Sequence, residues 1–270
     1  MPHSKPHRNF QEASRATLTH TTADEPITLI LSKKGWIRSR VGHGLDLSQT
    51  AFKEGDGLKQ VLEGRSVWPV VVLDSLGRTY TLDAAEIPGG RGDGVPVGSL
   101  VELQNGAEVA AMISGLPEQH YLLSNSGGYG FIAKLADMVG RVKAGKVMIS
   151  LEAGEKVLPP QAVFTVSLIN PDCKVVLASS ANRLLAFALG ELKVMAKGRG
   201  LQLMNLGEDE KLAHIAVVST PEFMVESVGK RGAARCERLR IQDIENKRGR
   251  KGRLLEISGR LKAIGGTDAE

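Results

Sequence analysis

The sequence predicts an all-β chain folded as a propeller-like disc of five tandem units, each of about fifty residues and about four strands. Three observations carry this prediction. Glycine-centred turns recur at a nearly fixed interval. A second series of turns lies upstream, each between two β-rich runs. A third series, glycine with basic residues, precedes the third strand of the unit. No amphipathic helical pattern lasts beyond about ten residues, although Leu135-Ala136-Asp137-Met138-Val139 reads as a short helical scrap.

The first series is Gly55, Gly106, Gly154, Gly207 and Gly259, with separations of 51, 48, 53 and 52 residues. Five turns predict five units. The second series reads Ser32-Lys33-Lys34-Gly35, Asp74-Ser75-Leu76-Gly77, Asn125-Ser126-Gly127-Gly128, Ser179-Ser180-Ala181-Asn182 and Glu226-Ser227-Val228-Gly229. Asparagine at 182 fits, because it shares glycine's tolerance of positive φ. Runs such as Thr28-Leu29-Ile30-Leu31 and Val70-Val71-Val72-Leu73 precede these turns, and runs such as Arg78-Thr79-Tyr80-Thr81-Leu82 follow them, predicting hairpins.

The third series is Arg91-Gly92-Asp93-Gly94, Lys143-Ala144-Gly145-Lys146, Lys197-Gly198-Arg199-Gly200 and Lys247-Arg248-Gly249-Arg250-Lys251-Gly252. The first unit has no clear copy. Each unit therefore reads as a hairpin, a polar connector ending in a basic glycine turn, and a second hairpin. Residues 1–24 fall outside the repeat and are polar, which predicts a flexible N-terminal tail or linker ahead of a repeat domain over 25–266.

A formal net charge of +5 and a pI near 9.2 point weakly to a polyanionic partner. The distribution says more: residues 1–220 hold 23 Lys/Arg against 22 Asp/Glu, whereas 221–264 hold 12 against 6. No apolar run is long enough to span a bilayer, and Met1-Pro2-His3-Ser4 opens no secretory signal, so the expectation is a cytoplasmic protein with no membrane partner. Cys173 and Cys236 lack any zinc or disulfide spacing and are expected to be buried thiols.

The basic glycine turns suit DNA, because lysine and arginine neutralise phosphates while glycine lets the backbone approach closely. Lys33, Lys34, Arg38, Arg40, Arg78, Arg91, Lys143, Lys146, Lys197, Arg199, Lys230, Arg231, Lys247, Arg248, Arg250 and Lys251 are the candidate phosphate contacts. For any single turn, a solvated loop is an adequate alternative; four copies in register favour function. Aromatic residues make up only 4% of the chain, which favours backbone contact with duplex DNA over base stacking on single strands. Gly89-Gly90-Arg91-Gly92-Asp93-Gly94 lacks the GK[ST] ending of a phosphate-cradling loop and reads as a surface turn. The six histidines show no metal-ligand spacing, and no nucleophile motif occurs, so neither a metal, a cofactor nor a catalytic residue is expected.

Several stretches together resemble a known family: Gly35-Trp36-Ile37-Arg38-Ser39, Asp74-Ser75-Leu76-Gly77-Arg78, Gly128-Tyr129-Gly130-Phe131, Arg141-Val142-Lys143-Ala144-Gly145-Lys146 and Val228-Gly229-Lys230-Arg231. The chain resembles, over about residues 25–264, the C-terminal domain of the A subunit of bacterial topoisomerase IV, kin to that of gyrase A. The resemblance implies a five-bladed β-pinwheel whose neighbouring blades exchange strands. It also implies duplex DNA bent over a basic rim, and partnership with the topoisomerase catalytic domain of the same polypeptide and with an ATPase B subunit.

Family enzymes cut DNA with an arginine-tyrosine pair; Tyr80, Tyr121 and Tyr129 follow Thr79, His120 and Gly128, so this pair is absent from the chain. The first 24 residues do not look like the coiled coil that precedes this domain in the family, so the chain reads as a fragment or as a frame lacking its catalytic half. The gyrase basic box, QRRGGKG in the first blade, has its nearest match at Asn246-Lys247-Arg248-Gly249-Arg250-Lys251-Gly252 in the fifth unit, which favours topoisomerase IV over a gyrase-type wrapping domain. Two rivals stand beside these readings: a protein-interaction β-propeller, and a propeller enzyme, for which the scattered histidines offer little.

Overall fold

The computed structural model describes residues 23–257 and 259–266, so most of the expected tail, residues 1–22, lies outside the described residues. Nineteen strands are present among them, all paired antiparallel. They are β1 (Pro26–Ser32), β2 (Trp36–Val41), β3 (Leu58–Arg65), β4 (Val70–Asp74), β5 (Arg78–Leu82), β6 (Val95–Pro96), β7 (Val109–Ser114), β8 (His120–Ser124), β9 (Tyr129–Lys134) and β10 (Lys146–Val147). The remainder are β11 (Gln161–Val163), β12 (Lys174–Ser179), β13 (Arg183–Ala188), β14 (Leu201–Gln202), β15 (Leu212–Val218), β16 (Glu222–Gly229), β17 (Ala234–Arg240), β18 (Arg253–Leu254) and β19 (Gly259–Gly266). Helix is confined to short turns such as α1 (Leu135–Met138) and α2 (Thr165–Ile169); α1 is the scrap read from the sequence.

Five blades result, with strand orders β3-β1-β2-β6, β10-β5-β4-β7, β11-β8-β9-β14, β15-β12-β13-β18 and β17-β16-β19. The expected second hairpin does not form: the third strand of each unit leaves its own blade and pairs with the second strand of the preceding one. Thus β6 joins β2, β10 joins β5, β14 joins β9 and β18 joins β13. This explains the missing basic turn in unit 1. The turn is the joint of strand exchange, and among the described residues no blade precedes unit 1 to receive a strand. Among the described residues blade 5 has three strands, with β17 as an exposed edge.

The exchange register is the same at every joint. The residue after the hairpin tip pairs with the second residue after the joint glycine: Trp36 with Pro96, Arg78 with Val147, Tyr129 with Gln202, Arg183 with Leu254. These joint glycines, Gly94, Gly145, Gly200 and Gly252, all have positive φ. A Cβ at Gly94 or Gly200 would fall inside contact distance of the carbonyl oxygen of Ile37 or Gly130 in the receiving blade. Only glycine combines that dihedral with that approach.

The blades stack through four buried clusters, one for each neighbouring pair from 1–2 to 4–5. Strand alternation divides each blade between two of them. In β4, Val70 and Val72 enter the cluster shared with blade 1, while Val71 and Leu73 enter the cluster shared with blade 3. Both faces are buried, so β4 reads as a continuous apolar run, and each such side chain contributes on the order of 1.5–3 kcal/mol. No such cluster joins blade 5 to blade 1 among the described residues.

Two features of the sequence series shift in the structure. The fifth hairpin tip is Gly229-Lys230-Arg231-Gly232, three residues later than expected, with Gly232 at φ 79 in the place of Gly35. At the first position of this turn, Asp74, Asn125 and Ser179 accept main-chain N–H groups through their side chains, and Gly229 has none to offer, which hid the alignment. In the first series, Gly55, Gly106 and Gly154 share one turn position with positive φ, but Gly207 sits two residues earlier in its turn and Gly259 opens β19. Cys173 is buried, and burial pushes its thiol up; Cys236 is exposed, contrary to expectation, because β17 is an edge strand that no further strand covers among the described residues.

Candidate nucleic-acid interface

Strands β3, β7, β11, β15 and β19 lie toward the axis, where β3 meets β7, β11 meets β15, and β15 meets β19. The exchanged strands occupy the opposite edge of each sheet, so the joints that precede them lie on the outer rim.

Each joint after the first is hydrogen-bonded to the segment that follows the preceding joint. Glu102 N–H donates to Lys143 O at 2.9 Å, Ser150 N–H to Gly198 O at 3.0 Å, and Asn205 N–H to Arg250 O at 3.1 Å. Bonds also run the other way, from Gly198 N–H to Met148 O at 3.0 Å and from Gly249 N–H to Leu203 O at 2.8 Å. The basic turns are therefore mounted on a main-chain belt around the rim.

The candidate cations divide into two groups. Arg91, Lys143, Lys197, Lys247, Arg250 and Lys251 are exposed at the four joints, at least one on each. Lys33 and Lys34 are exposed at the first hairpin tip and Lys230 with Arg231 at the fifth; Arg40 is half-buried at the end of β2. Lys34 Nζ also donates to Glu54 O at 3.1 Å, an exposed contact of small energetic weight.

The other five are engaged by the protein. Arg38 is buried, donates to Gly92 O and Ala51 O at 2.6 Å each, and lies over the Phe52 ring. Arg78 donates to Ala144 O at 2.8 Å and to Gly145 O at 3.0 Å. Lys146 Nζ turns back to Val139 O at 2.9 Å, and Arg248 donates to Gln202 O at 2.5 Å. Arg199 makes a bidentate pair with Glu155, both bonds 2.7 Å, and stacks on Tyr129 at 4.2 Å. That hydrogen-bonded pair holds the Glu155 carboxyl below its usual range.

Further exposed cations fall outside the candidate set. Arg141 stands two residues before Lys143 in the same turn, and Arg253 lies in β18 itself, donating to Asp243 O at 3.1 Å. Arg141 was legible from its place in the basic turn; Arg253 required knowledge that β18 is exchanged.

The tyrosines are held structurally. Tyr80 is buried and donates to Asp74 Oδ2 at 2.8 Å, with burial raising its hydroxyl pKa; Tyr121 is buried and pushed up to about 12. Tyr129 lies under Arg199. Among the described residues, no group of three His, Cys, Asp or Glu is placed to hold a metal ion, and no helix is long and apolar enough to cross a membrane.

Comparison with known proteins agrees with this geometry. The family model of the DNA gyrase C-terminal domain, a β-propeller, matches residues 174–219. The chain is 66% identical over 258 residues to the A subunit of DNA topoisomerase 4 from Neisseria gonorrhoeae, covering 94% of this chain and 33% of the relative. It thus spans about a third of the length of that curated relative. Its fold matches the E. coli ParC C-terminal domain with a TM-score of 0.78 at 32% identity, covering 89% of this chain and 98% of that one. A gyrase A C-terminal domain shares the fold at a TM-score of 0.62 and 20% identity, over 89% of this chain and 82% of the other. Rim, joints and strand exchange, taken with a match that spans nearly all of a solved domain, lead to one assignment: the chain belongs to the family of C-terminal β-propeller domains of the topoisomerase IV A subunit.

Proposed function

We propose that the chain binds duplex DNA along its outer rim with little sequence preference and bends it, presenting a DNA segment to the cutting centre of a type IIA topoisomerase. The observation that carries this is the belt: four joints in one register, each with at least one exposed cation, and each after the first hydrogen-bonded to the segment that follows the preceding joint. Charges spaced along a curved edge attract phosphates whatever the bases, and DNA that follows the curve gains contacts that offset its bending energy. In this reading the chain is an accessory domain without a cofactor. It acts beside the topoisomerase catalytic domain of the same polypeptide and an ATPase B subunit, in the bacterial nucleoid.

Five of the sixteen candidates, Arg38, Arg78, Lys146, Arg199 and Arg248, serve the joints, and the remainder contacts phosphate. The six exposed cations at the joints alone give a slope of log affinity against log salt of about −5, and all eleven remaining candidates together about −10. Binding of a labelled duplex of about 30 base pairs between roughly 50 and 200 mM salt reads that slope; salt-independent binding sinks the proposal. Ligation of nicked plasmid with the purified chain, followed by topoisomer counting, measures bending and wrapping. A small trapped writhe is expected, since the box-like run sits at the last joint and not the first.

A further inference from the structure

Each joint engages at least one arginine with protein groups, and at the joint between blades 2 and 3 that arginine is Arg78. Its Nε and Nη2 donate to Ala144 O at 3.2 and 2.8 Å, and Nη2 donates to Gly145 O at 3.0 Å. These two carbonyls follow Lys143 directly. On the other side, Lys143 O accepts from Glu102 N–H at 2.9 Å. The main chain of Lys143 is thus gripped from both directions, while its side chain is exposed. Lys146, at the end of the same turn, is folded back onto Val139 O.

We infer that Arg78 is a positioning residue for DNA, acting through Lys143 and touching no phosphate itself. The inference rests on the DNA-binding reading above. Two physical effects follow from the geometry. The guanidinium fixes the turn, so Lys143 meets a phosphate without first losing loop freedom. It also caps two carbonyl oxygens whose negative ends would otherwise face the DNA backbone.

The test is a double-mutant cycle with Arg78→Gln and Lys143→Ala, read as duplex affinity over a salt series. Each single variant is expected to weaken binding by about fivefold, and the double variant by no more than Lys143→Ala alone. Amide exchange over residues 143–146 should quicken in Arg78→Gln while the global melting temperature stays within a few degrees. Additive losses, with the salt slope falling by about a further 0.9 in the double variant, would mean that Arg78 contacts phosphate directly and would overturn the inference. If Arg78→Gln does not fold, the same cycle is run on Arg78→Lys, which keeps a charge but loses the planar fork, with the same two outcomes. Lys247→Ala/Arg250→Ala separates the two failures. If it weakens binding while Arg78→Gln does not, only the positioning role falls; if neither changes binding, the DNA reading falls with it.

Discussion

At the joint between blades 3 and 4, Arg199 lies 2.7 Å from Glu155 and 3.6 Å from Glu152 and stacks on Tyr129. At the next joint, Lys247, Arg250 and Lys251 are exposed, and among the described residues no carboxylate pairs with any of them. Both joints are glycine turns rich in basic residues, and both donate a two-residue strand in the same register. Their difference lies in the acidic turn of unit 3, Glu152-Ala153-Gly154-Glu155, which reaches the Arg199 side chain across 44 residues of sequence. At these two joints an acidic turn thus neutralises one basic side chain and leaves the others exposed. The disc is consequently polarised toward blade 5.

The largest expected effect is steric. Gly200→Ala would set a Cβ against the carbonyl of Gly130 at a positive φ, and is expected to cost about 3 kcal/mol or more in denaturant unfolding. Gly252→Ala should cost less, because its Cβ would stand 2.7 Å from the nearest main-chain oxygen, Leu184 O, against 2.1 Å from Gly130 O at Gly200, and its other close neighbour, Met204 Cε at 2.8 Å, is a methionine end that can move. Gly154→Ala, with φ 80 and nothing within 4 Å, sets the baseline of about 1 kcal/mol for the dihedral alone. Equal costs at all three positions would contradict the close approach at the joints.

Charge removal comes next. Lys247→Ala/Arg250→Ala/Lys251→Ala should reduce the salt slope of duplex binding by about 2.7 and weaken affinity by more than about tenfold at moderate salt; Lys197→Ala should reduce the slope by about 0.9. Equal slopes for the two variants would remove the polarity of the disc.

How much of this was legible in the sequence depends on distance along the chain. The hairpins were, because Val70-Val71-Val72-Leu73 followed by an Asp-x-x-Gly turn encodes two strands within a dozen residues. Two-residue strands such as β14 carry no periodicity, and their partners lie about seventy residues away, so the joint appeared only as a basic glycine turn. The sixteen cations were found through residue type and position. Which of them the protein engages was not legible, because the acceptors of Arg38, Arg78 and Arg248 are main-chain carbonyls, 13 to 67 residues distant, that any residue could supply.

Glu155→Gln sharpens the comparison from the other side. Losing the carboxylate frees Arg199, so duplex affinity should rise about threefold at low salt while stability falls by about 1–2 kcal/mol, since the pair is largely shielded. The pH signature follows from the carboxyl being held below its usual range by the Arg199 hydrogen bond. Its stabilising contribution is complete above the unfolded carboxyl value of about 4.3, and it is lost as pH falls through the lower folded value. Wild type should therefore lose stability more steeply than Glu155→Gln as pH falls below about 4.3. Parallel acid-unfolding curves would mean that the pair contributes nothing.

The smallest effect concerns the junction of blades 4 and 5, where the polarity begins. His214, on β15, is half-buried with Nε2 3.4 Å from Leu261 O on β19, and burial holds its imidazole below the usual range. A base with a depressed folded value binds fewer protons in the native state than in the unfolded one, so stability is full above about pH 6.5 and declines as pH falls toward the folded value. Between about pH 7 and 5.5 the loss should be under about 1 kcal/mol. Because β19 packs beside β15, the loss should appear first as faster amide exchange in 259–266, with blades 1 to 3 unchanged. His214→Gln keeps a hydrogen-bonding side chain that does not titrate, and in that variant the exchange of 259–266 should be independent of this pH change once intrinsic rates are corrected. A pH-dependent loosening that persists in His214→Gln would assign the weakness to another group.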